Sequence, residues 1–163
     1  MAKKIKICFV CSGNVFRSMA AEYLMKNRLY KQGISAFQVS SAGITAKTQE
    51  ISPIVLASLK ERGIDASGHK QTKLTQEIVD DTDLLIAMGI NHQVFIQDTR
   101  WVKVPVFNEL DYREHTPVYD VEEAIQDYAT NPQAVEKYER RAIHHIEKWI
   151  PYVIKSIQDL FHI

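Results

Sequence analysis

The feature that most constrains the fold is an alternation along the chain between short apolar runs and segments of helical period. The first run, residues 5–10, is rich in β-branched residues and ends before a Gly-Asn pair, which is typical of a strand buried on both faces. From Ser18 the apolar residues recur at helical spacing as far as Gly33, a suitable C-terminal cap. Further runs at residues 36–41, 83–88 and 101–107 predict three more strands. The order β-α-β-α-β-α-β indicates an α/β fold in three layers, a four-stranded parallel sheet with helices on both faces.

The segments between and after these runs indicate helices of different lengths. Ser52-Pro53 opens a helix with a capping residue and a proline at the first helical position, and Gly63 ends it. Shorter helical turns are predicted around residues 75–80 and 91–98, and the polar residues 108–117 indicate a loop. Residues 135–160 keep a helical period and predict an extended C-terminal helical region, in which Pro151 marks a kink or a break between two helices.

Composition narrows the class of protein and the classes of partner. A chain of 163 residues, 45% of them apolar, fits one domain over residues 1–163. Twenty basic residues balance twenty acidic ones, so no overall field gathers nucleic acid or an anionic membrane. The N-terminal apolar run is too short for a signal peptide, and no apolar stretch reaches membrane-spanning length. We therefore expect a cytoplasmic protein with neither nucleic acid nor membrane as partner, and the sequence leaves the oligomeric state open.

The two cysteines, Cys8 and Cys11, indicate a reducing compartment or a chemical role rather than a disulfide scaffold. Two residues cannot make a disulfide framework, and a pair three positions apart cannot complete a four-ligand zinc site. We expect no metal and no cofactor. Cys8 lies within the first apolar run and is expected to be inert core packing.

The loop between the first strand and the first helix carries the clearest functional signal. It runs from Cys11 to Ser18, at a position where open α/β sheets bind ligands. Such a loop can direct several backbone N–H groups inward beside the positive end of a helix dipole, an arrangement that suits a phosphate-like dianion. Gly13 and Asn14 tolerate the left-handed conformations of a tight curl, and the planar guanidinium of Arg17 can hold two oxygens of a tetrahedral anion. A sulfur at position 11 would then lie in line to attack the bound phosphorus.

These residues resemble the signature of the low-molecular-weight protein tyrosine phosphatases. That signature reads Val-Cys-x-Gly-Asn-x-Cys-Arg-Ser-Pro-x-Ala-Glu, and this chain has Val-Cys-Ser-Gly-Asn-Val-Phe-Arg-Ser-Met-Ala-Ala-Glu over residues 10–22. Further matches are Ser-Ala-Gly at 41–43, Gly-Ile at 63–64, His-Lys at 69–70, and residues 83–88 with Asn91. The motifs keep their order over about the first 110 residues.

The resemblance implies a role for each matching residue. Cys11 is implied to be the nucleophile that forms a cysteinyl-phosphate, Arg17 the clamp on the phosphoryl group, and Ser18 a hydrogen-bond partner of the sulfur. Asn14, Ser18, Ser41 and His69 are implied to support the loop. The residues expected to bind the phosphate are Ser12, Gly13, Asn14, Val15, Phe16, Arg17 and Ser18.

A general acid for the leaving oxygen is also implied. In the family it is an Asp followed by Pro on a late loop before the final helix, and this chain has no Asp-Pro. Asp120 is the candidate, because it follows the polar loop and precedes the C-terminal helical region. Asp111 and Asp127 remain alternatives.

The chain departs from the family at two places near the substrate. Phe16 replaces a second loop cysteine, so the protective disulfide of the family cannot form. The family lines its substrate slot with aromatic residues, whereas this chain has Val-Glu-Glu at 121–123 and Ile-Thr-Ala-Lys-Thr at 44–48. Tyr112, Tyr119 or Tyr128 would have to supply an aromatic ring.

The sequence therefore favours a metal-independent phosphomonoester hydrolase, acting on a phosphorylated protein or a small aryl phosphate, with protein tyrosine phosphatase as the expected enzyme. Arsenate reduction with an external thiol is one alternative, since no cysteine follows Cys11. A phosphate- or phosphopeptide-binding module without turnover is another. Phosphoarginine phosphatases carry Thr where this chain has Val15, which argues against that substrate.

Overall fold

The computed structural model describes residues 3–45, 48–112 and 114–163, and in these ranges it shows a parallel sheet between two layers of helices. The strands are β1 (Ile5–Cys11), β2 (Phe37–Gly43) and β3 (Leu84–Ala87). The helices are α1 (Arg17–Lys31), α2 (Pro53–Lys60), α3 (Gln76–Asp81), α4 (Ile90–Arg100), α5 (Glu109–Tyr112), α6 (Val121–Ala124) and α7 (Pro132–Phe161). Among the described residues, no helix combines the length and apolar character needed to cross a membrane.

The central strand β1 determines the register of the sheet and divides the core. It pairs in parallel with β2, from Ile5 opposite Phe37 to Cys11 opposite Gly43, and with β3 on its other side. Side chains of a strand alternate between its faces. The odd-numbered residues of β1 pack with α1, α2 and α7 in one apolar cluster, and the even-numbered residues pack with α3 and α4 in another. The predicted three-layer arrangement is confirmed.

The prediction of four strands is wrong, because the run at residues 101–107 forms no regular strand. Trp101 ends α4 in a left-handed conformation, with φ of 59°, and its side chain is exposed. Pro105 has no N–H to donate to a ladder. What remains is one isolated bridge from Ala87 to Val106, with two flanking backbone hydrogen bonds of 2.8 and 2.9 Å. The sheet therefore has three strands within the described part of the chain.

Several local predictions about helices hold, and others need correction. The Ser52 hydroxyl accepts a hydrogen bond from the Ile54 N–H and caps α2, as the Ser-Pro pair predicts. The polar stretch 108–117 contains the short helix α5 rather than only a loop. Pro151 does not divide the C-terminal region, because α7 continues through it as one helix of 30 residues. Ile150 and Val153, which flank the proline, are buried in the core, and this tertiary packing outweighs the lost backbone hydrogen bond.

Candidate active site

The loop that follows β1 lies at the carboxyl edge of the parallel sheet and ends at the first residue of α1. Residues 12–16 connect Cys11 to Arg17. None of the described residues accepts a hydrogen bond from the backbone N–H groups of residues 12–17. These donors lie beside the N-terminus of a 15-residue helix, whose dipole favours negative charge at that end. The arrangement is suited to bind a tetrahedral anion.

Asn14 shapes the loop through its backbone and its side chain. It has φ of 57°, a left-handed conformation that Asn tolerates better than most residues, whereas Gly13 does not have a positive φ. The amide group of Asn14 is fully buried; it donates to Ser18 Oγ at 3.0 Å and to Ser41 Oγ at 2.8 Å, and it accepts from the Thr72 N–H at 2.9 Å. The strained conformation is therefore held by three hydrogen bonds.

The sulfur of Cys11 lies at the base of this loop, with only 2% of the residue exposed. It is 2.9 Å from the hydroxyl oxygen of Ser18. Because the amide nitrogen of Asn14 can only donate, Ser18 Oγ accepts from it and keeps its own hydrogen for the sulfur. Ser18 is thus placed to stabilise negative charge on Cys11.

The other predicted supporting residues also contact the loop. Ser41 accepts from Asn14 and donates its own hydroxyl hydrogen to the carboxylate of Glu22, which in turn pairs with Lys26. His69 Nε2 lies 2.8 Å from the carbonyl oxygen of Asn14 and can donate to it. The structure therefore brings Asn14, Ser18, Ser41 and His69 together around the loop.

Two further supports were missed by the sequence reasoning. His92 at the start of α4 is fully buried, with Nε2 placed 2.8 Å from Ser12 Oγ. Burial, together with the nearby Arg17, lowers the pKa of His92 to about 3, so its ring is neutral. The side-chain amide of Gln71 donates to the carbonyl oxygen of Gly13. No short sequence motif indicates either residue, because His92 lies 80 positions from Ser12 and Gln71 lies 58 positions from Gly13.

Arg17 and Asp120 form an ion pair above the loop. Arg17 is 2% exposed; one terminal nitrogen donates to the Val118 carbonyl at 3.0 Å and the other lies 3.2 Å from Asp120 Oδ2. Asp120 is also the N-cap of α6, where its Oδ1 accepts from the Val121 N–H. The competing Asp127 instead accepts from Asn131 near the start of α7, and the side chain of Asp111 lies outside the described residues.

A cavity of about 460 Å³ opens over the loop. Its lining comprises Cys11, Ser12, Gly13, Val15, Phe16, Arg17, Thr45, Gln49, Asp120, Val121, Glu122, Glu123, Tyr128, Val135 and Glu139. Tyr128 brings the aromatic ring that the sequence left unassigned. Tyr119 lines a separate groove beside α7, and the side chain of Tyr112 lies outside the described residues.

Gln49 and Glu139 are cavity residues that the sequence reasoning did not identify. A Cβ at Gly13 would lie 2.2 Å from Gln49 Oε1, so the glycine leaves room for that amide. Glu139 is 6% exposed, and its Oε2 accepts from Ser52 Oγ at 2.7 Å. Burial raises the pKa of Glu139.

The second cysteine occupies a different environment from the first. Cys8 is fully buried in the cluster formed with α3 and α4, on the sheet face opposite to Cys11. Burial raises the pKa of its thiol to about 12. The expectation that Cys8 belongs to the core agrees with this placement.

A cysteine, an arginine and free backbone donors on a loop between strand and helix are the features of a cysteine-dependent phosphatase fold. The chain matches the family described as low molecular weight phosphotyrosine protein phosphatase over residues 6–159, and it belongs to that family.

The relatives of this chain are named as different enzymes. The chain is 36% identical over 91 residues to a protein-arginine-phosphatase of Bacillus subtilis (strain 168), covering 55% of this chain and 59% of that protein. It is 36% identical over 94 residues to the low molecular weight protein-tyrosine-phosphatase Ptp of Acinetobacter johnsonii, covering 57% and 63%. The matched segments thus span about three fifths of these relatives. A crystal structure of a YwlE mutant from Bacillus subtilis superposes with a TM-score of 0.80 at 25% identity, covering 95% of this chain and 99% of the other.

Proposed function

We propose that this protein is a phosphomonoester hydrolase that acts through a cysteinyl-phosphate, with protein phosphotyrosine or an aryl phosphate as substrate. The observation that carries the proposal is the position of Cys11 Sγ, 2.9 Å from Ser18 Oγ, in a cavity shared with the buried Arg17. Family membership supports the same chemistry.

The reaction has two steps. In the first, Cys11 Sγ attacks the phosphorus; an S–P bond forms, the bond from phosphorus to the leaving oxygen breaks, and Asp120 gives that oxygen a proton. The guanidinium of Arg17 and the backbone N–H groups of the loop hold the phosphoryl oxygens. In the second step water attacks the phosphorus, Asp120 takes its proton, and the sulfur leaves with a hydrogen bond from Ser18.

The test of the nucleophile is hydrolysis of p-nitrophenyl phosphate by matched cysteine variants. Cys11→Ser is expected to abolish turnover, whereas Cys8→Ala, which changes the cysteine on the opposite face of the sheet, is expected to retain it. Turnover by Cys11→Ser at the wild-type rate would refute the proposed chemistry. A wild-type protein that binds phosphate without turnover would favour the binding module instead.

The test of the general acid compares two leaving groups. Asp120→Ala is expected to lose about 10²- to 10⁴-fold on phenyl phosphate, whose leaving oxygen needs a proton, and much less on p-nitrophenyl phosphate. Asp127→Ala is the matched control, because Asp127 accepts a hydrogen bond from Asn131 and does not line the cavity. Equal losses by the two aspartate variants would remove Asp120 from the mechanism.

Arsenate reduction is a weaker candidate for a structural reason. A resolving thiol must reach the sulfur of Cys11, and Cys8 lies on the opposite face of the sheet with its pKa raised to about 12. Only an external thiol could complete that reaction. Rapid arsenate reduction without added thiol would contradict this argument.

Phosphoarginine is the second candidate substrate, because two of the relatives are named protein-arginine-phosphatase. The observation that favours it is the set of carboxylates in the cavity, which suits a guanidinium leaving group. Val15 argues against it. Comparing hydrolysis of phosphoarginine and phosphotyrosine at equal concentration decides between them.

A further inference from the structure

Glu139 brings a buried carboxylate into the cavity that contains Cys11 and Arg17. It extends from α7 into the cavity wall and exposes only 6% of its surface. Oε2 accepts from Ser52 Oγ at 2.7 Å, whereas no described residue donates a hydrogen bond to Oε1. Oε1 is not among the described side-chain atoms that are both fully buried and unpaired, so it keeps access to solvent. As part of the cavity lining, this carboxylate oxygen can accept a hydrogen bond from a donor supplied by the substrate.

The charges of the cavity are distributed unevenly around this oxygen. Arg17 is the one cationic side chain among the described residues of the lining, and it faces the phosphate loop. Of the carboxylates, Asp120 pairs with Arg17, and Glu123 accepts from the Asp120 N–H within the cap of α6. Glu139 has no cationic partner among the described residues. The cavity therefore offers positive charge to a phosphoryl group and negative charge to whatever extends beyond it.

We propose that Glu139 is a specificity-determining residue, which selects phosphopeptides that carry a Lys or Arg beside the phosphorylated residue. The inference rests on the proposed phosphatase function, and it identifies the substrate class of the same site. The cationic side chain donates to Glu139 Oε1 while the phosphoryl group occupies the loop. The lining carboxylate Glu122 adds attraction at longer range.

The alternative role of Glu139 is purely structural, since its bond to Ser52 joins α7 to the N-terminus of α2. Two variants separate the roles. Glu139→Gln keeps the side-chain shape and an oxygen that can accept from Ser52, but it removes the negative charge. Ser52→Ala breaks the bond to Glu139 and keeps the charge.

The test measures binding in the Cys11→Ser background, so it does not depend on turnover. Two fluorescent phosphotyrosine peptides are compared by anisotropy, one with Lys on both sides of the phosphotyrosine and one with Glu. We expect the Lys peptide to bind about tenfold more tightly, since one hydrogen bond to a charged group has about this effect. The preference should fall toward one with Glu139→Gln added, remain with Ser52→Ala added, and shrink in high salt.

Each outcome bears on a defined claim. Equal affinities for the two peptides, or a preference that survives Glu139→Gln, would overturn the role of Glu139. A Ser52→Ala protein that loses the preference as fully as Glu139→Gln would show that the helix contact, not the charge, is responsible. Failure of the wild-type protein to hydrolyse p-nitrophenyl phosphate would refute the proposed function separately. Failure of both peptides to bind would overturn the role of Glu139 and leave hydrolysis of small aryl phosphates standing.

Discussion

Asn14 offers the most direct test of how the phosphate loop is held. Asn14→Ala removes two donated hydrogen bonds and one accepted one from a fully buried position. Each contributes a net ~1 kcal/mol, and an alanine at φ of 57° adds a penalty of ~1 kcal/mol. The expected loss is about 4 kcal/mol, a large part of the roughly 5–15 kcal/mol that stabilises a typical domain.

The assay is urea or thermal unfolding followed by circular dichroism. For a domain of this size a loss of that magnitude lowers Tm by roughly 8–16 °C. Asn14→Gly is the matched control, because it loses the same hydrogen bonds but adopts a positive φ without strain. At an ordinary position glycine is less stable than alanine by ~0.5–1 kcal/mol, whereas here we expect it to be more stable than alanine by ~1 kcal/mol.

The two variants test the two parts of this reasoning separately. A wild-type Tm for Asn14→Ala would show that the three hydrogen bonds do not stabilise the loop. An alanine variant more stable than the glycine variant would refute the left-handed conformation at this position. Hydrolysis of p-nitrophenyl phosphate should fall in both, since Ser18 loses the donor that orients its hydroxyl toward the sulfur.

Gly43→Ala would place a Cβ 2.5 Å from the Ser12 carbonyl oxygen, so it should lower the free energy of unfolding in urea by about 1–3 kcal/mol and reduce activity. Gly68→Ala is the control, because its Cβ would have no atom within 4 Å, and it should change neither stability nor activity. At pH 8 the native protein should react with one equivalent of iodoacetamide, at Cys11, because burial holds the Cys8 pKa at about 12; two equivalents in the native protein would contradict this. Burial, together with Arg17, lowers the pKa of His92 to about 3 in the native state, whereas in the unfolded state the ring keeps its ordinary pKa. Between these two pKa values the unfolded state binds one more proton, so the free energy of unfolding should fall with decreasing pH by up to about 1.4 kcal/mol per pH unit. His92→Gln should flatten that dependence in urea titrations from pH 7 to pH 4, and an unchanged slope would contradict the assignment.

The parts of the fold that depend on neighbouring residues could be predicted from the sequence. The strand predicted at residues 5–10 is observed as Ile5–Cys11, and the capping serine and proline define the start of α2. The prediction failed at residues 101–107, where an apolar run resembles a strand but its neighbours do not allow one. A left-handed Trp101 and a proline without an N–H limit the contact with β3 to one bridge.

The candidate site also combines residues that the sequence could predict with residues that it could not. The loop residues lie within eight positions, so their spacing alone brings Cys11 and Arg17 to one strand–helix junction. Ser41 and His69 were found only through the resemblance to a family. His92 and Glu139 had no signal at all, because each contacts its partner, Ser12 or Ser52, across 80 or more positions.

By itself the sequence determined the α/β alternation, the phosphate loop and the residues that open and close it, since these features depend on local period and spacing. Tertiary structure alone decided which side chains meet above the loop. It placed Asp120 3.2 Å from Arg17, directed Tyr128 and Glu139 into the cavity, and separated the two cysteines onto opposite faces of the sheet. The physical reason is that the packing of α7 against α1 and α2, and of α6 against α7, brings distant side chains into one cavity, which no short motif does.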